Sequence, residues 1–433
     1  MASDRASDAQ FSFSVAIDGK YAIVGAPKED EDASGNDNKY DAGSAYLFER
    51  NSSGAWSQVQ KIVASDRASF DEFGNSVSIS GDYAIVGAKG EREDVSGQNF
   101  KKGAGSAYLF ERNASTGNWS EVQKIVASDR SENGRFGWSV SISGDYAIVG
   151  APKENGYGEA YLFERNTTTG NWREVQKITN SGYKDLFGFS VSISGNYAIV
   201  GAHREDEDIS LINTKTDAGA AYLYERNATT GNWSRGQKIV ASDRAISDYF
   251  GISVSISGNY AIVGAFFGDE DANGKNTRYE AGAAYLFERD TSGTWSEVQK
   301  IVASDRSQND LFGRSVSIIG DYAIVGALED VGGSAYFFER NATTGTWREV
   351  QKIVASDRDS IYYFGFPVSI SGNYAIVGAL QEDEDAGGQN TKGDAGSAYV
   401  FEKGPSKNVA PVFTAQGDLT VDEDAGAQSF AGW

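Results

Sequence analysis

One repeated hexapeptide constrains the fold of this 433-residue chain more than any other feature. Tyr-Ala-Ile-Val-Gly-Ala occurs seven times, and successive copies lie 62, 63, 51, 63, 62 and 52 residues apart. The tyrosines of the seven copies are Tyr21, Tyr83, Tyr146, Tyr197, Tyr260, Tyr322 and Tyr374. Repeats of this length are typical of solenoids, propellers and other arrays in which each unit packs against its neighbours. We therefore expect seven similar units in one array.

The second unit shows the strand content of each repeat. Residues 76–80 alternate polar and apolar side chains, as in a half-buried strand, and a Gly-Asp turn follows. Residues 83–86 are continuously apolar, and 106–111 and 119–126 supply two more strands without helical periodicity. Four antiparallel strands repeated seven times predict an all-β, seven-bladed β-propeller, with 76–80 innermost and 121–126 outermost. An open array of blades is the alternative.

The two ends of the array are incomplete. Unit one lacks a preceding strand of the 119–126 kind, and unit seven ends at residue 403 without a fourth strand. We expect the last blade to have three strands, or to take a fourth from residues 405–415. We assign 1–404 to the propeller and 405–433 to a linker and the truncated start of another module. The chain is expected to be part of a larger multidomain protein.

A Phe-Gly pair precedes the hexapeptide in six units. These pairs begin at Phe73, Phe136, Phe187, Phe250, Phe312 and Phe364. Together with Val-Gly-Ala, followed by Pro27 or Pro152 in two copies, they resemble the FG-GAP repeat of integrin α-subunit propellers and their bacterial relatives. The resemblance covers residues 11–403 and implies a seven-bladed propeller that binds proteins or glycans outside the cell. Residues 408–433 are similar to the opening of Ig- or cadherin-like modules of bacterial adhesins.

The integrin metal residues are not carried over to this chain. Integrin-like repeats place their calcium loop between the first and second strands, where this chain has only Gly-Asp or Gly-Asn. The long loops here lie instead between the second and third strands, and four of the five share an acidic pattern. Numbered from the first Asp, oxygen-bearing side chains stand at positions 1, 3, usually 5, 9 and 12, with glycine at 6 in three loops. This is the ligand spacing of an EF-hand loop.

The spacing predicts Ca²⁺ as a cofactor of these loops. The predicted side-chain ligands are Asp30, Asp32, Ser34, Asn38 and Asp41 in unit one, Asp206, Asp208, Ser210, Thr214 and Asp217 in unit four, Asp269, Asp271, Asn273, Thr277 and Glu280 in unit five, and Asp383, Asp385, Thr391 and Asp394 in unit seven. Position 7 is expected to add a backbone carbonyl, from Asn36, Ile212, Lys275 or Gln389.

Solvated acidic turns copied by duplication are the alternative to calcium. In unit two, Arg92 and Gly103 replace both terminal acids, as expected where a metal site has been lost. This contrast favours calcium in the other loops. Leu211 replaces the turn glycine in unit four, so we expect calcium less there than in units one, five and seven.

Three other recurring or isolated features have structural interpretations. His203 is the single histidine of a chain without cysteine, and we expect it on the surface instead of in a ligand or base role. Ser-Asp-Arg recurs at 65–67, 128–130, 242–244, 304–306 and 356–358, where we expect an Asp–Arg pair or a turn that links blades. The tryptophans that begin the fourth strands are expected to pack between the outer edges of blades.

Composition excludes several classes of function. With 39 Lys and Arg against 61 Asp and Glu, the formal charge is 39 − 61 = −22, which disfavours nucleic acid and anionic lipid as partners. The absence of cysteine excludes disulfides and thiolate metal sites. No apolar run is long enough to span a membrane, and the first residues are not an apolar signal segment.

The sequence therefore predicts a non-enzymatic, extracellular binding or adhesion propeller of a secreted or cell-surface protein. Its partner is expected to be a protein or glycan, bound on the rim that carries the acidic loops and the Ser-Asp-Arg turns. No catalytic group stands apart from the repeat pattern in the sequence. The alternative is a polysaccharide-active lyase or glycosidase, which should show unmatched His, Tyr, Arg or carboxylate side chains facing the channel. A structural spacer is a third interpretation.

Overall fold

The computed structural model describes most of the chain. The described residues are 2, 4, 6–35, 37–180, 185–330, 332–355, 363–383 and 392–403, with the backbone alone at 155 and in strand 413–418. They form seven four-stranded antiparallel sheets, each with its strands in sequence order. Among them, a 3₁₀ turn at Glu154–Gly156 is the one helical element, and no helix is long and apolar enough to cross a membrane.

The strands are numbered in chain order, and each position within a blade is filled by equivalent segments. The first strands are β1 (Ser14–Asp18), β5 (Phe73–Ser80), β9 (Ser139–Ser143), β13 (Ser190–Ser194), β17 (Ser253–Ser257), β21 (Phe312–Ile319) and β25 (Phe364–Ser371). The second strands are β2 (Tyr21–Ala26), β6 (Tyr83–Ala88), β10 (Tyr146–Ala151), β14 (Tyr197–Ala202), β18 (Tyr260–Ala265), β22 (Tyr322–Ala327) and β26 (Tyr374–Ala379). The third strands are β3 (Ser44–Arg50), β7 (Ser106–Arg112), β11 (Glu159–Arg165), β15 (Ala220–Arg226), β19 (Ala283–Arg289), β23 (Ser334–Arg340) and β27 (Ser397–Lys403). The fourth strands are β4 (Trp56–Ile62), β8 (Trp119–Ile125), β12 (Trp172–Thr179), β16 (Trp233–Ile239), β20 (Trp295–Ile301), β24 (Trp347–Ile353) and β28 (Phe413–Asp418).

The seven sheets form a closed ring. The first strands of successive blades contact one another in a cycle, which closes because β25 also contacts β1. The first strands are therefore innermost and the fourth strands outermost, as predicted. This arrangement confirms the seven-bladed propeller and excludes the open array.

Blade seven is completed from outside its own repeat. Its first three strands come from the repeat, and the fourth, β28, pairs with β27 through Phe413 and Lys403. The strand includes residues 413–415 of the predicted range 405–415 and continues to Asp418. The Ig- or cadherin-like resemblance of 408–433 otherwise lies outside the described residues.

Serine hydroxyls join the innermost strands across the blade junctions. The Val140 N–H of β9 donates to Ser76 Oγ of β5 at 2.9 Å, and the Ile17 N–H of β1 closes the ring by donating to Ser369 Oγ of β25 at 3.3 Å. Equivalent bonds to serine occur at four further junctions. Because these strands lie close to the axis, the alternating serines are small enough to fit and also satisfy the edge N–H groups of the next blade.

The glycines of the two repeated motifs let neighbouring blades touch through their backbones. A Cβ placed on Gly150 of Val-Gly-Ala would lie 2.0 Å from the carbonyl oxygen of Gly188, the Phe-Gly glycine of the next blade. Gly188 itself has φ +86, a conformation that glycine adopts most readily. Both motifs are therefore explained by one contact, which recurs at five other junctions. At the ring-closing junction Ser12 replaces the second glycine, and a Cβ on Gly378 would lie 3.0 Å from the Ser12 carbonyl oxygen.

The outer part of each junction is held by tryptophan. Trp172 is 3% exposed, and its ring lies edge-on to that of Tyr83 in the preceding blade, with 6.4 Å between ring centroids. Gln123 of the preceding blade donates to the Trp172 carbonyl and accepts from its N–H, both at 2.8 Å. The prediction that these tryptophans pack between outer blade edges is confirmed.

Candidate functional site

The acidic loops and the inter-blade connections share one face of the ring, here called the loop face. Arg67, on the connection after blade one, donates from Nη1 to the Asp37 carbonyl of the first acidic loop at 2.7 Å and from Nη2 to that of Asp30. Gly43, at the end of that loop, forms a bridge with Phe73 at the start of blade two. These contacts confirm the prediction that the acidic loops and the Ser-Asp-Arg turns lie on the same rim.

In its described copies, the Ser-Asp-Arg triplet links blades as predicted, through separate partners instead of an Asp–Arg pair; the copy at 356–358 lies outside the described residues. Arg306 binds the fifth loop through the carbonyls of Asp269 at 2.6 Å and Asn276 at 2.8 Å. In the triplet after blade one, Asp66 accepts from Tyr108 Oη at 2.7 Å and from Lys124 Nζ at 2.6 Å, both in blade two. The arginine therefore fixes the loop of its own blade, while the aspartate fixes the next blade.

Position 1 and position 12 of the acidic loops are joined directly. The position-1 carboxylate accepts the position-12 N–H, and the position-12 residue has a positive φ. The bonds are Asp30–Asp41 at 2.7 Å, Asp206–Asp217 at 2.8 Å, Asp269–Glu280 at 2.8 Å and Asp383–Asp394 at 2.7 Å. Gly103 holds the same place in loop two with φ +59. Glycine adopts this positive φ more readily than an acidic residue, so Gly103 has a structural explanation. This explanation weakens the inference that loop two is a lost metal site.

The position-3 aspartate organises the turn of each acidic loop whose turn the structure describes. Asp271 Oδ1 accepts the N–H groups of Asn273 and Lys275, each at 2.9 Å, and Oδ2 accepts Asn276 Nδ2 at 2.6 Å. Hydrogen bonds from Lys275, Asn273 and Asn276 lower the pKa of Asp271. Asp94 of loop two accepts equivalent bonds, so this loop keeps its shape without either terminal acid.

Within the described residues, no three of the predicted acidic ligands converge on one point. Ser34 and Ser210 donate to Asp32 and Asp208 of their own loops. Asn38, Thr214, Asn273, Lys275 and Thr277 are exposed. Asn36, Asp385, Gln389 and Thr391 lie outside the described residues.

One group of three acids does converge, but a lysine is paired with two of its members. Across the described chain, the carboxylates of Asp4, Glu29 and Glu31 form the only set of three acids within 4.8 Å of one another. Lys61 pairs with Asp4 and lies 3.5 Å from Glu29. Glu31 lies in loop one but is not a predicted ligand, and the predicted ligand acids of loops one, four and five form no such set. In these three loops the carboxylates therefore do not form a preformed calcium site, and calcium remains a prediction from spacing alone.

Calorimetric titration tests that prediction. The spacing predicts heat from calcium binding with a Kd on the order of 0.1–1 mM, as in extracellular modules. The double variant Asp269→Ala, Glu280→Ala should lose one binding site. Asp94→Ala, which changes the same turn in a loop without terminal acids, should lose none. An absence of calcium heat in the unaltered protein would assign all these loops to solvated turns.

A second set of side chains lies where the first strands begin and the second strands end. Lys89 Nζ lies 5.3 Å from the ring centre of Phe13 and 5.1 Å from that of Trp138. The Trp138 ring lies 5.2 Å from Phe189, whose ring lies 4.4 Å from the imidazole of His203. These contacts connect blades one to four around the axis on the loop face.

The same chain of contacts continues through the remaining blades. Tyr249 lies 5.6 Å from the His203 ring and 5.8 Å from the Phe266 ring. The Arg314 guanidinium lies 5.1 Å from the Phe266 ring centre and 5.0 Å from that of Phe366. We call the nine residues of this chain the collar: Phe13, Lys89, Trp138, Phe189, His203, Tyr249, Phe266, Arg314 and Phe366. Because each blade contributes at least one residue, the collar surrounds the mouth of the central channel.

The repeats also identify the family. The FG-GAP repeat matches at residues 1–48, 56–110, 119–163, 172–224, 233–287, 295–338 and 347–401. These matches cover most of the sequence. The chain belongs to the FG-GAP repeat family.

Solved structures of low sequence identity share the fold of this FG-GAP propeller. A protein of Bacteroides uniformis named as a candidate 6-phosphogluconolactonase is 11% identical, with a TM-score of 0.56 over 94% of this chain and 98% of that one. A Bacteroides fragilis protein with the same description is 12% identical, with a TM-score of 0.54 over 91% and 94%. A Lactobacillus plantarum protein is 11% identical, with a TM-score of 0.53 over 88% and 93%. No curated protein sequence matches the chain.

The collar of this FG-GAP propeller corrects the prediction for His203. The imidazole is 5% exposed instead of lying on the surface, and its buried Nδ1 has no hydrogen-bond partner among the residues that the structure describes. Burial, together with the charges of Arg204 and Arg314, lowers the pKa of His203 to about 3. His203 is therefore a neutral ring at ordinary pH and adds no positive charge to the collar.

Arg314 is the unpaired charge of the collar. Lys89 is neutralised by Glu72, 2.7 Å away, whereas Arg314 makes no ion pair or side-chain hydrogen bond within the described residues. Burial lowers the pKa of Arg314, but a guanidinium stays protonated at any ordinary pH. The collar thus combines apolar ring faces with one uncompensated positive charge.

Sequence reasoning missed the collar although the repeats contain a signal for it. The residue two places after the conserved phenylalanine varies among blades, being Phe13, Asn75, Trp138, Phe189, Ile252, Arg314 and Phe366, while the hexapeptide is identical in all seven. The residue after the hexapeptide also varies and includes Lys89, His203 and Phe266. The sevenfold repetition of the sequence is therefore broken at these two positions, which lie at the end of the channel.

Proposed function

We propose that this chain is a non-enzymatic, extracellular recognition propeller that binds a protein or glycan at the mouth of its channel. The observation that carries the proposal is the collar: identical scaffold residues in every blade surround a set of side chains that differ from blade to blade. Partly exposed aromatic rings with a few polar groups are the usual lining of a binding site. A purely structural spacer would need no such variation.

The proposal extends the predicted binding surface inward. The acidic loops were expected to carry recognition, but their side chains are largely occupied in holding the loops. The loops form the outer rim of the loop face and the collar forms its centre. We further propose that the chain acts in a secreted or surface-attached protein, with neither nucleic acid nor membrane as its partner, in keeping with a charge of −22.

An enzyme acting on polysaccharide is the second candidate, because the collar contains unmatched His, Tyr and Arg side chains. Two observations favour binding over catalysis. His203 has no carboxylate partner within the described chain, and burial holds it neutral. The collar itself contains no carboxylate, whereas glycosidases generally use a pair of them.

Array screening of glycans and proteins tests the proposed function. The unaltered chain is expected to retain a ligand that Trp138→Ala releases, because the variant removes a collar ring that lies between Lys89 and Phe189. Val122→Ala on the outer strand β8, where the side chain is 44% exposed, should bind as the parent does. The retained ligand should be recovered chemically unchanged. Turnover of the ligand, or retention unaffected by Trp138→Ala, would overturn the proposal.

A further inference from the structure

The position of Arg314 suggests what kind of group enters the collar. Its guanidinium lies between the rings of Phe266 and Phe366, about 5 Å from each centre. No carboxylate in the described chain neutralises it, although the sequence contains 61 acidic residues. A guanidinium presents paired N–H donors in one plane, which match the two oxygens of a carboxylate. The side chain is therefore placed to receive an anionic group from a ligand.

The charge balance of the collar fits a singly charged group. Lys89 is paired with Glu72, and His203 is neutral, so Arg314 supplies the one net positive charge. A phosphate, with close to two negative charges at neutral pH, would be left partly uncompensated in this site. A carboxylate is balanced by Arg314 alone.

The negative electrostatic field around the collar limits the charge that the rest of the ligand can carry. A chain of net charge −22, with acidic loops around the collar, repels a polymer that carries a negative charge on every unit. One anionic residue at the end of an otherwise neutral ligand avoids that repulsion. It brings its charge to Arg314 and leaves the neutral part above the loop face.

The rings of the collar favour a sugar over a peptide. Phe13, Trp138, Phe189 and Phe366 are partly exposed and offer flat apolar faces, against which the apolar face of a sugar ring can stack. A peptide would need backbone donors and acceptors as well. The Asn75 amide is not free to supply them, because it already donates to the carbonyls of Gly137 and Trp138 and accepts the Lys89 N–H.

We infer that the collar binds the terminal acidic sugar of a glycan, with the sugar ring on the aromatic faces and its carboxylate on Arg314. This inference rests on the proposed function and names its ligand class. The acidic sugar would be a uronic acid or another sugar that carries one carboxylate.

Calorimetric titration with matched disaccharides tests the inference. The probes are a disaccharide with a terminal glucuronic acid, the same disaccharide with terminal glucose, and the methyl ester of the acid form. The unaltered chain should bind the acid form at least tenfold more tightly than either neutral form. Arg314→Gln should remove this difference, and Arg314→Lys should retain part of it because it keeps the charge without the paired donors.

Arg173→Gln is the matched control. Arg173 lies on the outer strand β12, with its side chain 71% exposed and paired to Glu164 at 3.2 Å. It should bind all three probes as the parent does, and melting curves should show that each variant is folded. Equal binding of the acid and neutral forms by the folded parent would overturn the inference.

Two further outcomes separate this inference from the proposed function. Tighter binding of a short peptide with a free terminal carboxylate than of the glucuronic disaccharide would overturn the sugar assignment while leaving recognition at the collar intact. Binding of a neutral glycan that Trp138→Ala abolishes and Arg314→Gln does not affect would overturn the carboxylate contact with Arg314 while leaving recognition at the collar intact. Failure of every array ligand would instead count against the proposed function itself.

Discussion

Gly150→Ala is expected to destabilise the propeller by about 3 kcal/mol or more, because the added methyl group has no space. Its Cβ would lie 2.0 Å from the Gly188 carbonyl oxygen and 2.3 Å from Ser139 Oγ. The first of these atoms belongs to the backbone, so blades three and four must move apart. Such movement would also break the hydrogen bond from Ser139 Oγ to the Gly188 carbonyl, which is 2.9 Å long.

Urea unfolding followed by tryptophan fluorescence measures this loss as a lower midpoint. Gly236→Ala is the matched control, since Gly236 lies in the outer strand β16 and its added Cβ would approach nothing closer than the Leu223 carbonyl oxygen at 3.4 Å. That control should leave the midpoint unchanged or raise it slightly. A Gly150→Ala variant that unfolds at the parent midpoint would show that the blade contact is looser than the structure indicates.

His203 is expected to make the fold sensitive to acid. The folded chain holds the imidazole neutral with a pKa of about 3, whereas the unfolded chain protonates it near the ordinary value of 6.5. Between these two values the unfolded state binds more protons, so the free energy of unfolding falls as the pH falls. The full effect, reached below pH 3, is on the order of 5 kcal/mol. Above pH 6.5 His203 is neutral in both states, so its contribution to the free energy of unfolding no longer changes with pH.

The single histidine allows a direct measurement. Its one imidazole C2–H resonance should not titrate between pH 8 and about pH 4.5 in the folded protein. Unfolding curves of the parent and of His203→Phe should differ increasingly as the pH is lowered, with the parent losing more. The comparison cancels the contributions of the carboxyl groups that both proteins share. A resonance that titrates near pH 6.5 would contradict the buried, neutral imidazole.

Buried carboxyl groups change the stability with pH in the direction opposite to His203, and for this reason the test compares two proteins. Burial raises the pKa of Asp71 and of Glu154 to about 7, so these groups are protonated more readily in the fold than in the unfolded chain. Their contribution to stability is present at low pH and is lost as the pH rises toward 7. The pH dependence of the free energy of unfolding therefore contains contributions of both signs. Only the difference between the parent and His203→Phe isolates the contribution of His203.

The candidate site could be predicted only in part. The loop face followed from strand order, because alternating hairpins place the loops between second and third strands beside the inter-blade connections. The role of the acidic residues did not follow, since the EF-hand spacing is also the spacing that joins Asp269 to Glu280 and lets Asp271 hold a turn. Spacing along a loop cannot tell whether an oxygen accepts a backbone N–H or a cation.

The sequence by itself determined the number of blades, the four strands of the second unit and the order of strands from axis to rim. These follow from local alternation and from a hexapeptide repeated seven times, and each needs only neighbouring residues. Only the tertiary structure decided that Lys89, His203 and Arg314 join one collar, and that Gly150 meets Gly188. These residues come from different repeats, and closing the ring brings together the same end of every blade. Contacts between blades form only when all seven blades have closed the ring, so they cannot be read from the sequence of any single repeat.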